Sequence, residues 1–593
     1  MCGIAGELRL DGQRPDPVLI QKMNKALARR GPDAEGSYFD GPLAFGHRRL
    51  AIIDLSPRSA QPMVDDEAGL ALVFNGTIYN YPKLRAELIC KGHAFHSDGD
   101  TEVILRAYAE WGEACVERLH GMFAFAIWDR GKGRLFLARD RLGIKPLYYS
   151  LADGFVRFAS SSQALLAAGG IDTGIDPVAL HHQFTLHAVV PAPHTVLKGV
   201  RKLPPATTMS VDLSGRTFER RYWSLAAQRP DKAMDEQEWQ AAIHDALCAA
   251  VQKRLTVADV KVGVLLSGGL DSSLLVGLLA EHGVGDLMTF SVGFEDQPEE
   301  RGHEFEYSDA VAAHFGTRHH QYSIPNNEVL DRLPEAVDAM AEPMVGQDAV
   351  AFYLLAEQVS KTVKVVQSGQ GADEVFGGYF WYPRMQAETE GAPVDRFRRH
   401  YFDRDHDEYL ATVDPRFHGA DHTAALVAAR LAEPLADEFI DQVLRMDVTM
   451  LITDDPVKRV DNMTMAWGLE ARVPFLDHEV VELAARMPPE LKLASGGKHI
   501  LKEISRGLLP DAVIDRKKGY FPMPALKYVR GDFLEFMRGI LDSQACRERG
   551  LFRRDYVDRL LAEPERHHTR IQGSKLWHLA LLEFWLQRNV DRA

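Results

Sequence analysis

The sequence contains no hydrophobic run long enough to cross a membrane. A spanning helix needs about 18 consecutive apolar residues, and no stretch of the 593 residues approaches this length. The amino terminus lacks the basic stretch followed by an apolar stretch that marks a secretory signal peptide. We therefore expect no membrane association, and we do not expect a lipid on the cysteine at position 2.

Cysteine and positive charge are both scarce. The five cysteines are far apart, odd in number and without C-x-x-C spacing, which argues against a disulfide framework or a zinc site and favours a reducing, cytoplasmic location. Lys and Arg number 69 against 84 Asp and Glu, a formal net charge of −15. This balance disfavours a broad surface for nucleic acid or anionic membranes. The expected partners are small molecules, and the sequence leaves a homodimer open.

The hydrophobic pattern changes along the chain, whose length implies more than one core. In the first 215 residues, short apolar runs such as LALVFNGTIYN and FAFAIWDRGKGRLFLARD alternate with turn residues and predict stacked β-sheets flanked by helices. A polar stretch follows and indicates a linker. From about residue 237, alternating helices and buried strands predict a parallel α/β sheet, and amphipathic helices follow. We expect a two-domain protein that combines α/β and α+β architecture.

The segment LLSGGLDSS, Leu265 to Ser273, lies between a predicted buried strand and a predicted helix. Its glycines allow a tight turn, while its serines and the helix N-terminus direct O–H and N–H groups at an anion. It is not a Walker A loop, because no lysine follows the glycines. The pattern S-G-G-x-D-S resembles the pyrophosphate loop of enzymes that split ATP into AMP and pyrophosphate. The alternative is a strand–turn–helix joint with small residues for packing.

A second glycine-rich segment, QSGQGADEVFGGY from Gln367 to Tyr379, repeats this logic. It follows the predicted strand TVKVVQ and carries the carboxylates Asp373 and Glu374. Two such loops at strand ends, each with an acidic residue, predict a nucleotide and metal site at the carboxyl edge of an open sheet.

The second residue is a cysteine followed by glycine. If Met1 is removed, Cys2 carries a free α-amine with a reference pKa of about 7.7–8.0, close enough to neutrality to act as base for the thiol of the same residue. Gly3 would then permit close approach of a substrate. The alternative is an ordinary buried cysteine at the start of a strand.

Four further motifs follow Cys2 in order: RRGPDAEG, FGHRRLAIID, VFNGTIYNY and SDGDTEVI. Together with both glycine-rich loops, they make the chain resemble the glutamine-dependent (class B) asparagine synthetase family over nearly its whole length. The resemblance implies an enzyme with an N-terminal-nucleophile glutaminase domain at residues 1–215, a linker at 216–236 and an ATP-pyrophosphatase synthetase domain at 237–593. Such an enzyme is a carbon–nitrogen ligase that takes nitrogen from glutamine.

The resemblance also implies roles for residues of the first domain. Cys2 would attack the glutamine amide, and the Asn75 side chain and Gly76 N–H would form the oxyanion hole. Binding of the rest of the glutamine molecule would fall to Arg49, Gly99 and Asp100. The alternatives are a surface charge at Arg49 and a hairpin turn at Asn75-Gly76.

In the second domain, the resemblance implies ATP and Mg²⁺ as ligands. The residues that match the family's ATP positions are Leu265, Ser267, Gly268, Gly269, Asp271, Ser272, Val292, Ser368 and Gly369. Asp271 and Asp373 would bind the metal, and Lys518 would stabilise charge on phosphorus during adenylation of the acceptor. Ammonia from the glutaminase would travel inside the protein to the acyl-adenylate.

One departure from the family pattern leaves the acceptor open. Members that act on free aspartate commonly have S-G-E-G in the second loop, whereas this chain has Gln370 in place of the glutamate. A neutral glutamine cannot act as a base or bind a cation as a carboxylate does. Two acceptors therefore stay open: aspartate, and a peptide-like acid such as that of the branch that makes N-acetylglutaminylglutamine amide.

Two rival functions and one rival site are also open. The rival functions are an amidotransferase with a sugar-phosphate or phosphoribosyl partner domain, against which the first loop argues, and a non-catalytic nucleotide-binding regulator. The segment DRDHDEYLATVD, Asp403 to Asp414, has the alternating acids of a calcium loop but lacks its sixth-position glycine and final glutamate. We expect a solvated loop there.

Overall fold

The computed structural model describes residues 2–296, 301–346, 348–516 and 529–592. The strands of its amino-terminal part are β1 (Cys2–Arg9), β2 (Ala34–Asp40), β3 (Leu43–Arg49), β4 (Met63–Asp65), β5 (Leu70–Ile78), β6 (Gly121–Asp129), β7 (Arg134–Arg139), β8 (Tyr148–Ala152), β9 (Phe155–Ala159), β10 (Arg201–Lys202), β11 (Thr207–Asp212) and β12 (Thr217–Arg221). They form two six-stranded sheets with the orders β10-β8-β9-β1-β3-β2 and β12-β11-β7-β6-β5-β4.

Helices cover the outer faces of these antiparallel sheets. They are α1 (Pro17–Ala26), α2 (Tyr81–Cys90), α3 (Asp100–Trp111), α4 (Ser162–Ala168) and α5 (Pro177–Thr185). In β5, Leu70 and Leu72 pack with the residues of α2 and α3, while Ala71 and Val73 face the core between the sheets. Since successive side chains of a strand point to opposite faces, a strand buried on both faces gives the continuous apolar run seen in the sequence.

The carboxyl-terminal part is built on one parallel sheet. Its strands are β13 (Val262–Leu265), β14 (Met288–Phe294), β15 (Arg318–Ile324), β16 (Val365–Gln367) and β17 (Glu470–Arg472), in the order β15-β14-β13-β16-β17. Each neighbouring pair is parallel. The order reverses between β13 and β16, and ligands of open α/β sheets bind where the strand order reverses.

Helices pack on both faces of this sheet and continue beyond it. They are α6 (Glu236–Thr256), α7 (Leu270–Glu281), α8 (Phe305–Phe315), α9 (Asn326–Ala339), α10 (Asp348–Ser360), α11 (Ala372–Phe376), α12 (Trp381–Ala387), α13 (Pro393–Tyr401), α14 (His406–Thr412), α15 (His422–Leu431), α16 (Phe439–Met446), α17 (Lys458–Met465), α18 (His478–Ala485), α19 (Pro489–Leu493), α20 (His499–Ser505), α21 (Asp511–Ile514), α22 (Gly531–Leu541), α23 (Gln544–Arg549), α24 (Arg554–Ala562) and α25 (Lys575–Asn589). Within the described ranges, no helix is both long and apolar enough to span a membrane.

The segment that connects the two parts packs against helices of the carboxyl-terminal part. β12 lies inside the span predicted as linker, and the Ala227 N–H beyond it donates to the Leu435 carbonyl over 2.7 Å. Arg229 forms an ion pair with Asp441 at 2.6 Å. The connection is therefore fixed to the carboxyl-terminal helices.

Buried polar contacts join the two parts directly. Asp461 of α17 accepts from Arg30 at 2.9 Å and from Lys145 at 3.1 Å. Thr77 of β5 donates to Glu470 of β17 over 3.2 Å. The β17 edge of the parallel sheet and the antiparallel sheets are thus in direct contact.

The segment from Asp403 to Asp414 differs from the expected solvated loop. Most of it forms α14, and Asp403 is buried with a side-chain carboxylate 3.0 Å from the His187 ring. The prediction was wrong because a carboxylate paired with a distant imidazole leaves no local mark in the sequence.

Candidate active sites

The first candidate site lies at the start of β1. Cys2 pairs with Arg49 of β3, and the Cys2 backbone nitrogen donates to Asn75 Oδ1 of β5 over 3.0 Å. The Asn75 Nδ2 group is buried and has no hydrogen-bond partner among the described residues. The sheets therefore bring a thiol and an available amide donor together from positions far apart in the chain.

Asn75 and Gly76 lie inside β5 rather than at a hairpin turn, so the turn interpretation is wrong. A Cβ at Gly76 would lie 2.2 Å from the Met122 carbonyl oxygen. Glycine is therefore required here for β5 to lie this close to β6.

Arg49 is buried, at 8% exposure, so it is not an ordinary surface charge. Its guanidinium donates to the Ser56 carbonyl over 2.9 Å and to the Asp54 carbonyl. The Asp54 carboxylate in turn accepts from the Ser56 and Ser59 hydroxyls and from the Asp98 N–H. The turn after β3 thus fixes Arg49 beside Cys2, and Asp54 is a supporting residue that the sequence did not single out.

Asp100 and Gly99 lie at the N-terminus of α3. The Asp100 carboxylate accepts from the Ile78 N–H at the end of β5 over 3.0 Å. Burial raises the pKa of Asp100 to about 6, against the opposing effect of that hydrogen bond. A Cβ at Gly99 would lie 2.7 Å from the Ser59 hydroxyl, so glycine lets α3 start against the turn that holds Arg49.

Burial raises the pKa of the Cys2 thiol, while the charge of nearby Arg49 opposes the rise. A thiol in this position is neutral at pH 7 and needs a base to become a nucleophile. Removal of Met1 would turn the Cys2 nitrogen into a free amine, which could act as that base.

The second candidate site begins with the loop between β13 and α7. The Ser267 N–H donates to the Ser272 hydroxyl over 3.2 Å, and the Gly269 N–H donates to the Ser267 hydroxyl over 3.3 Å. Gly268 has a φ of +76°, and a Cβ there would lie 2.7 Å from the Ser308 backbone nitrogen. The loop is therefore tightly folded at the N-terminus of a 12-residue helix, a favourable place for an anion.

The loop after β16 packs directly on this first loop. A Cβ at Gly369 would lie 3.1 Å from both the Asp271 Cβ and the Ser272 nitrogen. The Lys498 ammonium lies between the two acidic residues, 2.5 Å from Asp271 Oδ2 and 2.7 Å from Asp373 Oδ1. The carboxylates predicted to bind a metal thus converge on one cation, which in this structure is a lysine.

A pocket of about 610 Å³ adjoins both loops. The predicted ATP residues that line it are Leu265, Ser267, Gly269, Asp271, Ser272, Val292, Ser368 and Gly369. Gly268 is the predicted member that does not line the pocket, since its α-carbon faces α8. Gln370, Asp373 and Lys498 also line it. Lys518 lies outside the described residues.

Comparison with known proteins covers both parts of the chain. The sequence model for the glutamine amidotransferase domain matches residues 1–223, and the model for asparagine synthase matches residues 242–587. Asparagine synthetase (glutamine-hydrolyzing) 1 of Bacillus subtilis (strain 168) is 31% identical, over 100% of this chain and 97% of that protein. The chain belongs to the glutamine-hydrolysing asparagine synthetase family.

The relatives of this chain also include asparagine synthetase B (glutamine-hydrolyzing) of Escherichia coli (strain K12). It is 28% identical, over 88% of this chain and 82% of that protein. Among solved structures, glutamine phosphoribosylpyrophosphate amidotransferase of B. subtilis matches with 17% identity and a TM-score of 0.30, over 54% of this chain and 65% of that one. The family resemblance of the sequence is confirmed, and the N-acetylglutaminylglutamine branch stays a prediction.

Sequence reasoning missed two features of the pocket. Lys498 lies in GGKHILKE, which has the composition of an ordinary exposed helix start. Glu374 and Asp447 form a buried acidic pair, with hydrogen bonds from the Tyr379 and Tyr382 hydroxyls respectively. Burial raises the pKa of both carboxyls. Glu374 stands in the second loop, but nothing local to Asp447 indicates a site.

Proposed function

We propose that this protein hydrolyses glutamine at Cys2 and uses the ammonia to amidate aspartate, with ATP split into AMP and pyrophosphate. The observation that carries the proposal is the packing of two glycine-rich loops at the point where the strand order reverses. They bring Asp271, Asp373 and Lys498 to one pocket, in the same chain as the Cys2–Asn75 pair.

In the glutaminase half, the α-amine of Cys2 takes the proton of the thiol, and the sulfur attacks the carboxamide carbon of glutamine. Asn75 Nδ2 and the Gly76 N–H stabilise the negative charge that develops on the amide oxygen. Arg49 pairs with the α-carboxylate of glutamine, and Asp100 with its α-ammonium group. Ammonia leaves with a proton returned by the amine, and water hydrolyses the thioester to glutamate.

In the synthetase half, the side-chain carboxylate of aspartate attacks the α-phosphorus of ATP and pyrophosphate leaves. Ammonia then attacks the acyl carbon and AMP leaves. The loop Ser267–Ser272 binds the leaving pyrophosphate through N–H and O–H groups, and Lys498 offsets charge on the phosphates. We keep Lys518 as a proposed second cation for the phosphorus.

Magnesium is part of the proposal. Asp271 and Asp373 supply carboxylate oxygens, which Mg²⁺ prefers, and their convergence on the Lys498 ammonium fits them to a shared cation. A magnesium ion bound there would neutralise phosphate charge. We also infer that the protein acts in the cytoplasm on small molecules, and a homodimer stays a prediction.

The test is pyrophosphate release from ATP in the presence of Mg²⁺ and glutamine. We expect release that depends on added aspartate, with asparagine detected by mass spectrometry. An N-acetylated dipeptide acid serves as the alternative acceptor, because Gln370 lines the pocket in place of the family's glutamate. If pyrophosphate is released with the dipeptide acid but not with aspartate, the dipeptide acid is the acceptor and aspartate is not. No acceptor-dependent release, in protein that still forms glutamate from glutamine, would overturn the proposal.

A further inference from the structure

The pocket extends beyond the residues proposed for ATP. Its remaining wall includes Asp348 at the start of α10, Asp455 and Arg459 around the start of α17, and His187 in the connection after α5. Aspartate must reach the α-phosphorus from this same pocket. Any role of this wall in binding the acceptor rests on the proposed function.

The backbone at His187 is in an unusual conformation. His187 has a φ of +54°, and the next residue, Ala188, has a φ of +61°. Residues with a side chain rarely adopt this left-handed region, and such residues concentrate at functional sites when the surroundings hold them. Here the Ala188 N–H donates to the Gln183 carbonyl over 3.0 Å. The loop therefore presents His187 in a fixed position.

The side chain of His187 is fixed as well. Its Nδ1 lies 3.0 Å from Asp403 Oδ2, and the Asp403 side chain is fully buried. The Asp403 N–H donates to the Thr185 carbonyl over 2.9 Å, so carboxylate and loop are tied together. His578 approaches the same oxygen at 3.4 Å. With Nδ1 bound to the carboxylate, Nε2 is the nitrogen of His187 that remains for a ligand.

Among the described residues of this wall, Arg459 is the other cationic group, and it is already paired with acidic side chains. Its guanidinium lies 3.0 Å from Asp348 and also contacts Asp455. An acceptor carboxylate would have to compete with two acids for it. Within the part of the chain that the structure describes, His187 has a carboxylate partner on its Nδ1 side only. Although burial disfavours the charged ring, Asp403 raises the pKa of His187 above its ordinary value, which favours an oxygen ligand.

We propose that His187 binds an oxygen of the acceptor remote from the carboxylate that reacts, and that Asp403 positions its ring. For aspartate this oxygen belongs to the α-carboxylate. His187 is then a specificity residue for the acceptor, whereas ATP and glutamine are bound by other residues. No role in the chemistry at phosphorus is assigned to it.

The experiment measures pyrophosphate release with ammonia as nitrogen donor, so that the glutaminase is bypassed. Aspartate is varied at saturating ATP, and ATP at saturating aspartate. We expect His187→Ala to raise KM for aspartate about tenfold or more, the effect of losing one hydrogen bond to a charged group, with KM for ATP little changed. His187→Gln, which keeps a hydrogen-bonding group near Nε2, should recover part of the loss. Asp403→Asn should raise the same KM by less.

The matched control is His194→Ala. His194 stands in the same connection and pairs with Asp176 at 3.0 Å, but it is not among the residues that line the pocket. We expect it to leave KM for aspartate unchanged.

Failure of this inference and failure of the proposed function give different results. If the wild type releases pyrophosphate with aspartate but His187→Ala has an unchanged KM for it, the inference alone fails. The same holds if KM for ATP rises equally, or if His187→Ala and His194→Ala behave alike. If the wild type shows no release that depends on aspartate, the proposed function fails and this inference with it.

Discussion

Asp100 is placed at the first position of α3 with its carboxylate buried against β5. Its proposed partner, the α-ammonium group of glutamine, requires the ionised form. Since burial raises the pKa of Asp100 to about 6, protonation begins not far below neutrality. The binding of glutamine should therefore weaken as the pH falls, because more of Asp100 becomes protonated.

We predict that kcat/KM for glutamine falls as pH is lowered through about 6, because the protonated carboxyl loses its attraction for the ammonium group. Glutamate formation measured from about pH 5 to about pH 8 gives the profile. Asp100→Asn should have a lower kcat/KM and lack the fall near pH 6, while the fall that accompanies protonation of the Cys2 amine, the proposed base, should persist at higher pH. An unchanged fall near pH 6 in that variant would assign the titration to another group.

Lys498 gives a second prediction at this scale. Lys498→Met removes the cation between Asp271 and Asp373, so two carboxylates face each other and the phosphates lose a donor. We expect pyrophosphate release to fall by about 10²–10³, the usual effect of losing one electrostatic stabiliser. Glutamate formation from glutamine should persist and shows that the variant is folded. Synthesis near the wild-type rate would contradict the role given to Lys498.

At the scale of elements, the loop between β13 and α7 depends on the backbone of Gly268. Gly268→Ala and Gly283→Ala both place a side chain at positive φ, +76° and +70° respectively, but only the Cβ at position 268 meets another backbone. We predict that Gly268→Ala weakens ATP use by up to about 10²-fold, the effect of small misplacement in a site. Gly283→Ala, at the end of α7, should cost about 1–2 kcal/mol of stability and leave KM for ATP unchanged.

The comparison requires steady-state kinetics in ATP and thermal unfolding of both variants. Equal KM values for ATP in the two variants would show that the loop does not need the close approach to α8.

Elements with a strong local signal could be predicted from the sequence. The hairpin of β6 and β7 turns at residues 130–133, where two glycines stand, and α7 ends next to Gly283. The segment TEVILRAYAEWGEACVERL has helical spacing throughout, but α3 stops at Trp111, because Gly112 has a φ of +60° and a 3-10 turn follows. Propensity and spacing do not reveal such a change in backbone conformation.

The residues of the candidate sites also differ in whether the sequence alone could predict them. Cys2, Asn75 and the first phosphate loop belong to contiguous motifs, and the structure places Cys2 beside Asn75 and the loop at the wall of the pocket. Lys498 and Asp403 act through partners more than 200 residues away in the chain. Their signal is tertiary, so a single sequence carries too little information to find them.

For the whole molecule, the contact of the two parts includes buried charges as well as apolar side chains from both parts. Asp461 pairs with Arg30 and Lys145, all with side chains less than 10% exposed. Asp461→Asn leaves two buried cations without their carboxylate, which typically costs about 3–5 kcal/mol. We predict a clear drop in the calorimetric unfolding temperature. Asp558→Asn is the control, since its pair with Arg554 is more than half exposed and worth at most about 1 kcal/mol. Equal unfolding temperatures would contradict the prediction.

The central claim is that one chain contains a cysteine-dependent ammonia source and a separate ATP-dependent amidation site. The most direct test follows ¹⁵N from the amide of glutamine into the amide product in the wild type and in Cys2→Ala. We predict labelled product from the wild type, none from Cys2→Ala with glutamine, and normal amounts from Cys2→Ala supplied with free ammonia. Labelled product from the variant, or failure of both nitrogen sources in a folded variant, would contradict the account.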